Sequence, residues 1–374
     1  MNQKLIAAAV AGAFALPGVA LAQVTISGTF ELGLSQSKAS DAPVRTAAGF
    51  NTSSNIMRNA ANMRFGITEN LGGGTSFFGL YEIRPILDGS VGAAADTTPA
   101  GSTSAQAYLG LRNAAWGSVR AGNYAIWTSR GGVAGAPKAF QHASTNLTSY
   151  QQITTTGAVT SVISGRQRNV VYYESPKMGA FSVNLGYSTS PQGDDSDLTV
   201  ATRKGSGQYF APEYDAGVVK VGWVNAKQKA DANTALYKGN KIYASGMIGP
   251  VSTGIEYITW KGESAVGLNN LNTKSWAIPV NYTTGAHTFG MIISKAGDNK
   301  NVVGDQSAKQ TSLAYNYNLS KRTWLSLSHV KLKNATGGAY DLASHTGTMD
   351  GAAGFTSAIG EDLTSTTFGL HHTF

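Results

Sequence analysis

From Thr97 to Tyr173 the chain contains no Asp or Glu, although it carries 21 acidic residues in all. The same stretch holds Arg112, Arg120, Arg130, Lys138, Arg166 and Arg168, with His142 as a further charge at low pH. Fixed cations without a counter-charge make a positive potential, and in a narrow passage between low-dielectric walls such a potential favours anions and repels cations. Residue alternation sorts several basic groups onto one face. Arg64 opposes Phe65, Arg120 opposes Val119 and Ala121, and Arg166 and Arg168 oppose Val171 and Tyr173. Arg84 shares the parity of Glu82, where it either joins the group or pairs with that carboxylate. The expected cation set is therefore Arg64, Arg84, Arg120, Arg130, Lys138, Arg166 and Arg168. The plainer reading of any one arginine is a tether for backbone carbonyls or loop residues. Arg112, flanked by Gly110 and Asn113, reads as a turn residue.

Other chemistry is sparse. Asp194, Asp195 and Asp197 offer hard oxygen ligands to a divalent ion, but such a run reads first as a solvated loop. His371 and His372 point to opposite faces of a strand and do not chelate one metal as neighbours. The other histidines lie far apart. Gly72-Gly73-Gly74 precedes a strand and lacks the helix dipole of a phosphate cradle. No local Ser, His and carboxylate pattern suggests a nucleophile. The sequence therefore predicts no catalytic residue, no cofactor and no metal site.

The elements that must position the cations are strands. Val24, Ile26, Gly28, Phe30, Leu32 and Leu34 alternate with Thr25, Ser27, Thr29, Glu31, Gly33 and Ser35. The same period of two recurs around Phe65, in Phe181 to Tyr187, in Trp276 to Tyr282 and in Leu313 to Leu319, and it runs through Phe368, Leu370 and His372 to the last residue, Phe374. Segments of this length cross a bilayer as tilted strands. Tyr187, Trp260, Tyr282 and Phe374 fall near predicted strand ends, as an interfacial aromatic girdle requires. Pro279 removes one ladder bond. Short turns alternate with long polar stretches such as 37–55, 88–102, 123–164 and 335–362. That asymmetry is the habit of an outer-membrane barrel. Residues 1–22 read as a cleaved secretory signal, with Lys4, the apolar run to Leu16, Pro17 and Ala20-Leu21-Ala22, which leaves 23–374 as a single transmembrane β-barrel domain. Cysteine is absent, so the fold cannot rely on disulfides. The net charge of +8 draws anions or lipid phosphates, and its dispersal along an exported chain argues against nucleic acid.

Several segments together resemble the general porins of Gram-negative bacteria, of the β-proteobacterial and neisserial type. They are Gln23 to Gly28, Arg64 to Gly74, Trp116 to Gly122, Arg168 to Pro176, Tyr317 to Thr323 and Gly369 to Phe374. The chain departs from that family at Asn123, where an arginine is frequent, and at Asn70. The resemblance implies an all-β fold, a transmembrane antiparallel β-barrel of 16 strands with the third extracellular loop, here about 123–164, folded into the lumen. It also implies a homotrimer in the outer membrane, with outer-membrane lipid and lipopolysaccharide around it. Phe374 would be the closing residue and the signal read by the barrel-assembly machinery and periplasmic chaperones. In that loop Trp127 and Phe140 would anchor the loop to the wall or form an apolar track.

The function expected is a water-filled channel for passive diffusion of small hydrophilic solutes and ions, with a preference for anions. Alternatives are a substrate-specific channel for a small anionic solute, a barrel enzyme and a soluble secreted β-protein.

Overall fold

The computed structural model describes residues 22–40, 53–59, 61–85, 106–124, 167–189, 205–229, 236–263, 272–338, 340 and 359–374. They form one sheet of seventeen strand segments. In chain order these are β1 (Gln23–Ala39), β2 (Ser53–Asn59), β3 (Asn62–Gly72), β4 (Thr75–Ile83), β5 (Ala107–Asn113) and β6 (Gly117–Tyr124). Next come β7 (Gln167–Glu174), β8 (Phe181–Ser188), β9 (Ser206–Asp215), β10 (Val219–Lys229), β11 (Leu236–Ile248) and β12 (Val251–Glu263). The last five are β13 (Asn272–Thr284), β14 (His287–Ala296), β15 (Ala308–Asn318), β16 (Thr323–Asn334) and β17 (Leu363–Thr373). Every sequence-adjacent pair except β2 and β3 is hydrogen-bonded antiparallel. β2 and β3 pair with β1 in one continuous register, Leu32 with Asn59 and Thr29 with Asn62, so they are two halves of a single crossing. The sheet is a closed barrel of 16 antiparallel crossings.

Closure joins the chain ends. β1 pairs with β17 from Thr29 opposite Thr373 to Ala39 opposite Leu363. Beyond the last strand residue, the Phe374 N–H donates to the Gly28 carbonyl and the Gly28 N–H donates to the Phe374 carbonyl, both at 3.1 Å. The Phe374 ring lies 5.1 Å from that of Phe30. It occupies the space a side chain on residue 28 would need: a Cβ there would sit 2.7 Å from the ring and 2.3 Å from the Asn62 carbonyl oxygen. Glycine at 28 therefore lets the terminal aromatic close the seam. Inside the seam, Ser35, Ser37, Ser365 and Thr367 link by hydroxyl hydrogen bonds of 3.0 Å.

Alternation sets the two faces as expected over most of the wall. Leu34, Leu185, Leu313 and Phe368 are exposed outward, while Ser35, Asn184, Ser312 and Thr367 are buried inward. An open sheet would have to hide an apolar face, whereas a barrel in lipid exposes it at no cost and turns its polar residues to the lumen. The lumen is less uniformly polar than the alternation implies, because Val224, Ile258, Ile292 and Val330 also point in and are buried. Trp260 is a correction. It was expected in the outer girdle, yet it shares the inward parity of Glu256 and Ile258 and is buried. Pro279 lies inside β13 and pairs with Ile292 of β14. On its other side the ladder to β12 skips from Val280–Thr253 to Ala277–Glu256, and Thr253 Oγ1 donates to the Pro279 carbonyl at 2.9 Å. The missing N–H thus leaves a gap without a change of register.

Candidate functional site

The site is the inner wall, beginning with β3 and β4. Their register sets Arg64 opposite Glu82. Arg64 Nε donates to Glu82 Oε2 at 3.0 Å, and Arg84 Nε, just past β4, donates to Oε1 at 3.1 Å. The carboxylate side chain is fully covered, whereas the Arg64 and Arg84 side chains remain 43% and 28% exposed. The two guanidinium groups are thus open to the lumen and the carboxylate between them is not. Arg84, for which two readings were open, pairs with Glu82 and stands beside Arg64 as well.

Arg120 is held differently. It lies on β6 opposite Gly110 and Tyr172. Its guanidinium is ion-paired to Glu174, which also accepts from Ser118 Oγ at 3.1 Å. Four rings surround it, Tyr124, Tyr108, Phe78 and Tyr172, with centroids 4.7, 5.2, 5.3 and 5.8 Å from the guanidinium carbon. Such contacts suit a cation withdrawn from water. Gly110 makes room for it, because a Cβ there would come within 2.2 Å of the Val119 carbonyl oxygen. The ring series Tyr108, Tyr124, Tyr172 and Tyr209, at centroid spacings of 5.2, 5.0 and 5.7 Å, makes this part of the wall a braced panel. Arg112, expected in a turn, is the penultimate residue of β5, and its guanidinium carbon lies 5.5 Å from the Phe78 ring centre.

Arg168 departs from its expected parity. Asn169 has φ of 54°, and the β6–β7 register shifts between Gly122–Val170 and Tyr124–Gln167. This bulge carries the extra residue, so Gln167 takes the inward direction, buried and accepting from Gln228 Nε2 at 2.8 Å. Arg168 is exposed on the other side. A bulge displaces every residue beyond it by one face. Arg130, Lys138, Arg166, Trp127 and Phe140 lie outside the described residues, as do Asp194, Asp195 and Asp197.

The wall also holds pairs that sequence reasoning missed. Lys220 Nζ lies 3.6 Å from Glu213 and 3.4 Å from Asp215. Tyr243 Oη donates to Glu213 at 2.5 Å. Lys241 and Glu256 stand 3.9 Å apart, both buried. Parity places such residues on one face but does not say which of them meet. At the end of the barrel that carries the short turns, Arg112, Glu174, Lys177, Glu213 and Lys220 line a cavity of about 650 Å³.

One line of groups resembles a catalytic relay. Ser326 Oγ is 2.6 Å from His371 Nε2, and His371 Nδ1 is 3.5 Å from Glu31 Oε1. The three come from β16, β17 and β1, far apart in sequence, and so no local pattern announces them. Trp324 stacks on the imidazole at 5.0 Å and 6°. Ser326 is 3% exposed and His371 is fully buried, so no acyl group reaches the hydroxyl. The chain of contacts ties the barrel seam together. Among the described residues no three His, Asp or Glu side chains stand close enough to hold a metal ion.

No curated protein matches the chain. Among solved structures, it is similar to an anion-selective porin from Comamonas acidovorans (TM-score 0.69, 20% identity, 95% of this chain and 100% of that one). It is also similar to the trimer form of OmpT, an outer-membrane protein of Vibrio cholerae (TM-score 0.62, 10% identity, 94% and 99%), and to Salmonella typhi OmpF in complex with daunomycin (TM-score 0.60, 13% identity, 94% and 97%). These likenesses concern the fold. The sequence model that describes Gram-negative porins matches residues 7–337, and the chain belongs to that family, as a β-barrel of the outer membrane that forms a passive diffusion channel.

Proposed function

We propose that the channel prefers anions. The observation that carries this reading is the Arg64–Glu82–Arg84 group, in which one covered carboxylate is bracketed by two guanidinium groups that face the lumen. The group keeps a net positive charge where solutes pass; of the acid-free stretch from Thr97 to Tyr173, Arg120 is balanced by Glu174 and Arg168 lies on the other face, so neither adds to it. Permeation on this reading involves no bond making. An ion exchanges part of its hydration shell for lumen groups, and a shallow positive potential raises the local anion concentration without trapping it. Arg130, Lys138 and Arg166 extend the same potential if the third extracellular loop narrows the lumen. The barrel acts as a homotrimer without catalysis, reached through export by residues 1–22 and assembly on the signal at Phe374 by periplasmic chaperones and the barrel-assembly machinery. Reversal potentials across planar bilayers in a KCl gradient test the sign. Chloride preference is expected, and potassium preference would refute the reading.

A further inference from the structure

The cavity of about 650 Å³ at the short-turn end differs in charge from the group around Glu82. Its lining holds three cations, Arg112, Lys177 and Lys220, and three carboxylates, Glu174, Glu213 and Asp215. The signs alternate along the wall in strand order: Arg112 on β5, Glu174 on β7, Lys177 just after it, Glu213 and Asp215 on β9, and Lys220 on β10. Five of the six are ion-paired. Lys220 reaches both Glu213 and Asp215, Lys177 reaches Asp215 at 3.3 Å, and Glu174 holds Arg120. Arg112 is the exception, for it is exposed and among the described residues forms no ion pair.

Register explains why Arg112 stays free and what it faces. Ser76, Arg112, Ser118 and Glu174 are direct cross-strand partners on β4, β5, β6 and β7. A hydroxyl therefore separates the guanidinium from the carboxylate, which is turned to Arg120 and Ser118. Two strand spacings set Arg112 and Glu174 about 10 Å apart along this row. The guanidinium carbon lies 5.5 Å from the Phe78 ring centre, a contact that steadies the cation without using its N–H groups. The gap between the two charges selects by size. An α-amino acid carries its ammonium and carboxylate about 3 Å apart, and a charge-assisted hydrogen bond of about 2.8 Å at each end brings the span to about 9 Å. The Arg112 fork suits the carboxylate end. The Glu174 side chain, 22% exposed, offers its open edge to the ammonium end. A solute with only one of the two charges gains at one end of the row and is repelled at the other. The cavity is of a volume that encloses small ligands.

We infer that the row from Arg112 to Glu174 is a binding site for α-amino acids in their zwitterionic form, set on the path through the channel. Binding there is weak enough for the solute to leave, so passage remains passive. The inference needs an open channel and does not rest on its sign: reversal potentials read the sign and solute block reads this site, so either can fail alone. The full chain, exported and reconstituted in planar bilayers in KCl at about pH 6, is titrated with L-glutamine and two derivatives. N-acetyl-L-glutamine keeps only the carboxylate, and L-glutaminamide keeps only the ammonium. Native channels are expected to show saturable current noise with L-glutamine and association at least about fivefold weaker with either derivative. Arg112→Gln should weaken L-glutamine association at least about fivefold. The double variant Arg120→Met/Glu174→Gln removes the carboxylate without stranding its partner, and it should weaken L-glutamine association while sparing the N-acetyl derivative. Single-channel conductance near the native value shows that each barrel has formed. If Arg112→Gln does not insert, Arg112→Lys is measured instead; it keeps the charge without the fork and should show a smaller loss. Equal association of L-glutamine and its N-acetyl derivative would overturn the inference, because the ammonium then plays no part. So would L-glutamine association that is absent from native channels or unchanged by substitution of Arg112.

Discussion

The group around Glu82 makes a prediction whose sign depends on which member is changed. Two guanidiniums against one carboxylate leave one net positive charge beside the lumen. Glu82→Gln raises it to two while keeping an amide oxygen to accept from the arginine Nε atoms, which approach the carboxylate at 3.0 and 3.1 Å. Arg64→Gln lowers it to zero. A unit charge about 6 Å from the path of an ion in water contributes about 0.7 kcal/mol. A Debye length of ~10 Å at 0.1 M salt reduces this to about 0.4 kcal/mol. That energy roughly doubles anion occupancy and halves cation occupancy, so the chloride-to-potassium permeability ratio changes about fourfold. Glu82→Gln should raise the ratio by about that factor and Arg64→Gln should lower it by as much. At 1 M, where the Debye length is ~3 Å, both changes should shrink below about 1.5-fold. Reversal potentials in matched gradients at the two salt levels measure all four values, and heat-modifiable migration in gels confirms that each barrel is folded. Unchanged ratios, or shifts of the same sign in both variants, would refute the assignment of this group to the ion path.

Other substitutions probe the seam, the aromatic panel and the short turns. Deleting Phe374 removes two backbone hydrogen bonds and the ring contact with Phe30, so the amount of assembled barrel in outer membranes should fall far more than the conductance of the pores that do form. A parallel fall in both would count against that division. Gly28→Ala should impair assembly in the same way, since its Cβ meets the Phe374 ring. Arg120→Met strands the Glu174 carboxylate, at a cost of about 3 kcal/mol read from the urea midpoint of barrels refolded in lipid, and adding Glu174→Gln should recover most of it; a double variant as unstable as the single would sink the pairing argument. Asp215 accepts from the Gly217 N–H at 3.0 Å and from Lys177 at 3.3 Å, which hold its carboxyl below the ordinary 3.8. Its folded-state value is depressed, so its contribution is present above the unfolded value and is lost as pH falls through the folded one. Asp215→Asn should therefore flatten the loss of stability below about pH 4, and an acid limb identical to the native one would contradict this.

How much the sequence discloses follows from what a strand preserves. Period two survives wherever the ladder is regular, so the outward run of Leu185 and Leu313 and the inward placement of Arg64 and Arg120 are readable from alternation alone. It fails at Arg168 because one left-handed residue, Asn169, inserts a bulge that no local pattern marks; an asparagine at that point is compatible with such a conformation but does not require it. Trp260 fails for another reason. Its place near a strand end fits a girdle, but parity with Glu256 decides the face, and the end of the strand does not. Pairing of Arg84 with Glu82, two residues away, was one of the two readings that parity offered, but the partners of Arg64, Arg120 and Lys220 were beyond reach, since Glu82, Glu174 and Glu213 are brought to them by register between strands. The contact of Ser326, His371 and Glu31 exists only because the barrel closes its first strand on its last.

Face also decides what the chain's net charge means. The total of +8 invites a direct reading as lumen potential, yet two rows of lysines on the outer wall, Lys227 with Lys238 and Lys261, and Lys295 with Lys309 and Lys333, hold much of the positive charge outside, at the long-loop rim. Inside, carboxylates and cations lie against one another: Glu174 against Arg120, Glu213 against Lys220 and Glu256 against Lys241. Pairs of that kind nearly cancel a few ångströms away, so they brace the wall with little effect on a passing ion. On the anion-preferring reading, the potential a solute meets is then set by the exceptions, where cations outnumber carboxylates at one point, as at Glu82. Neutralising a lysine of the outer rows and neutralising Arg64 remove the same formal charge from the chain. Only the second changes what the lumen presents to an ion, and only the first changes what the barrel presents to the lipid around it.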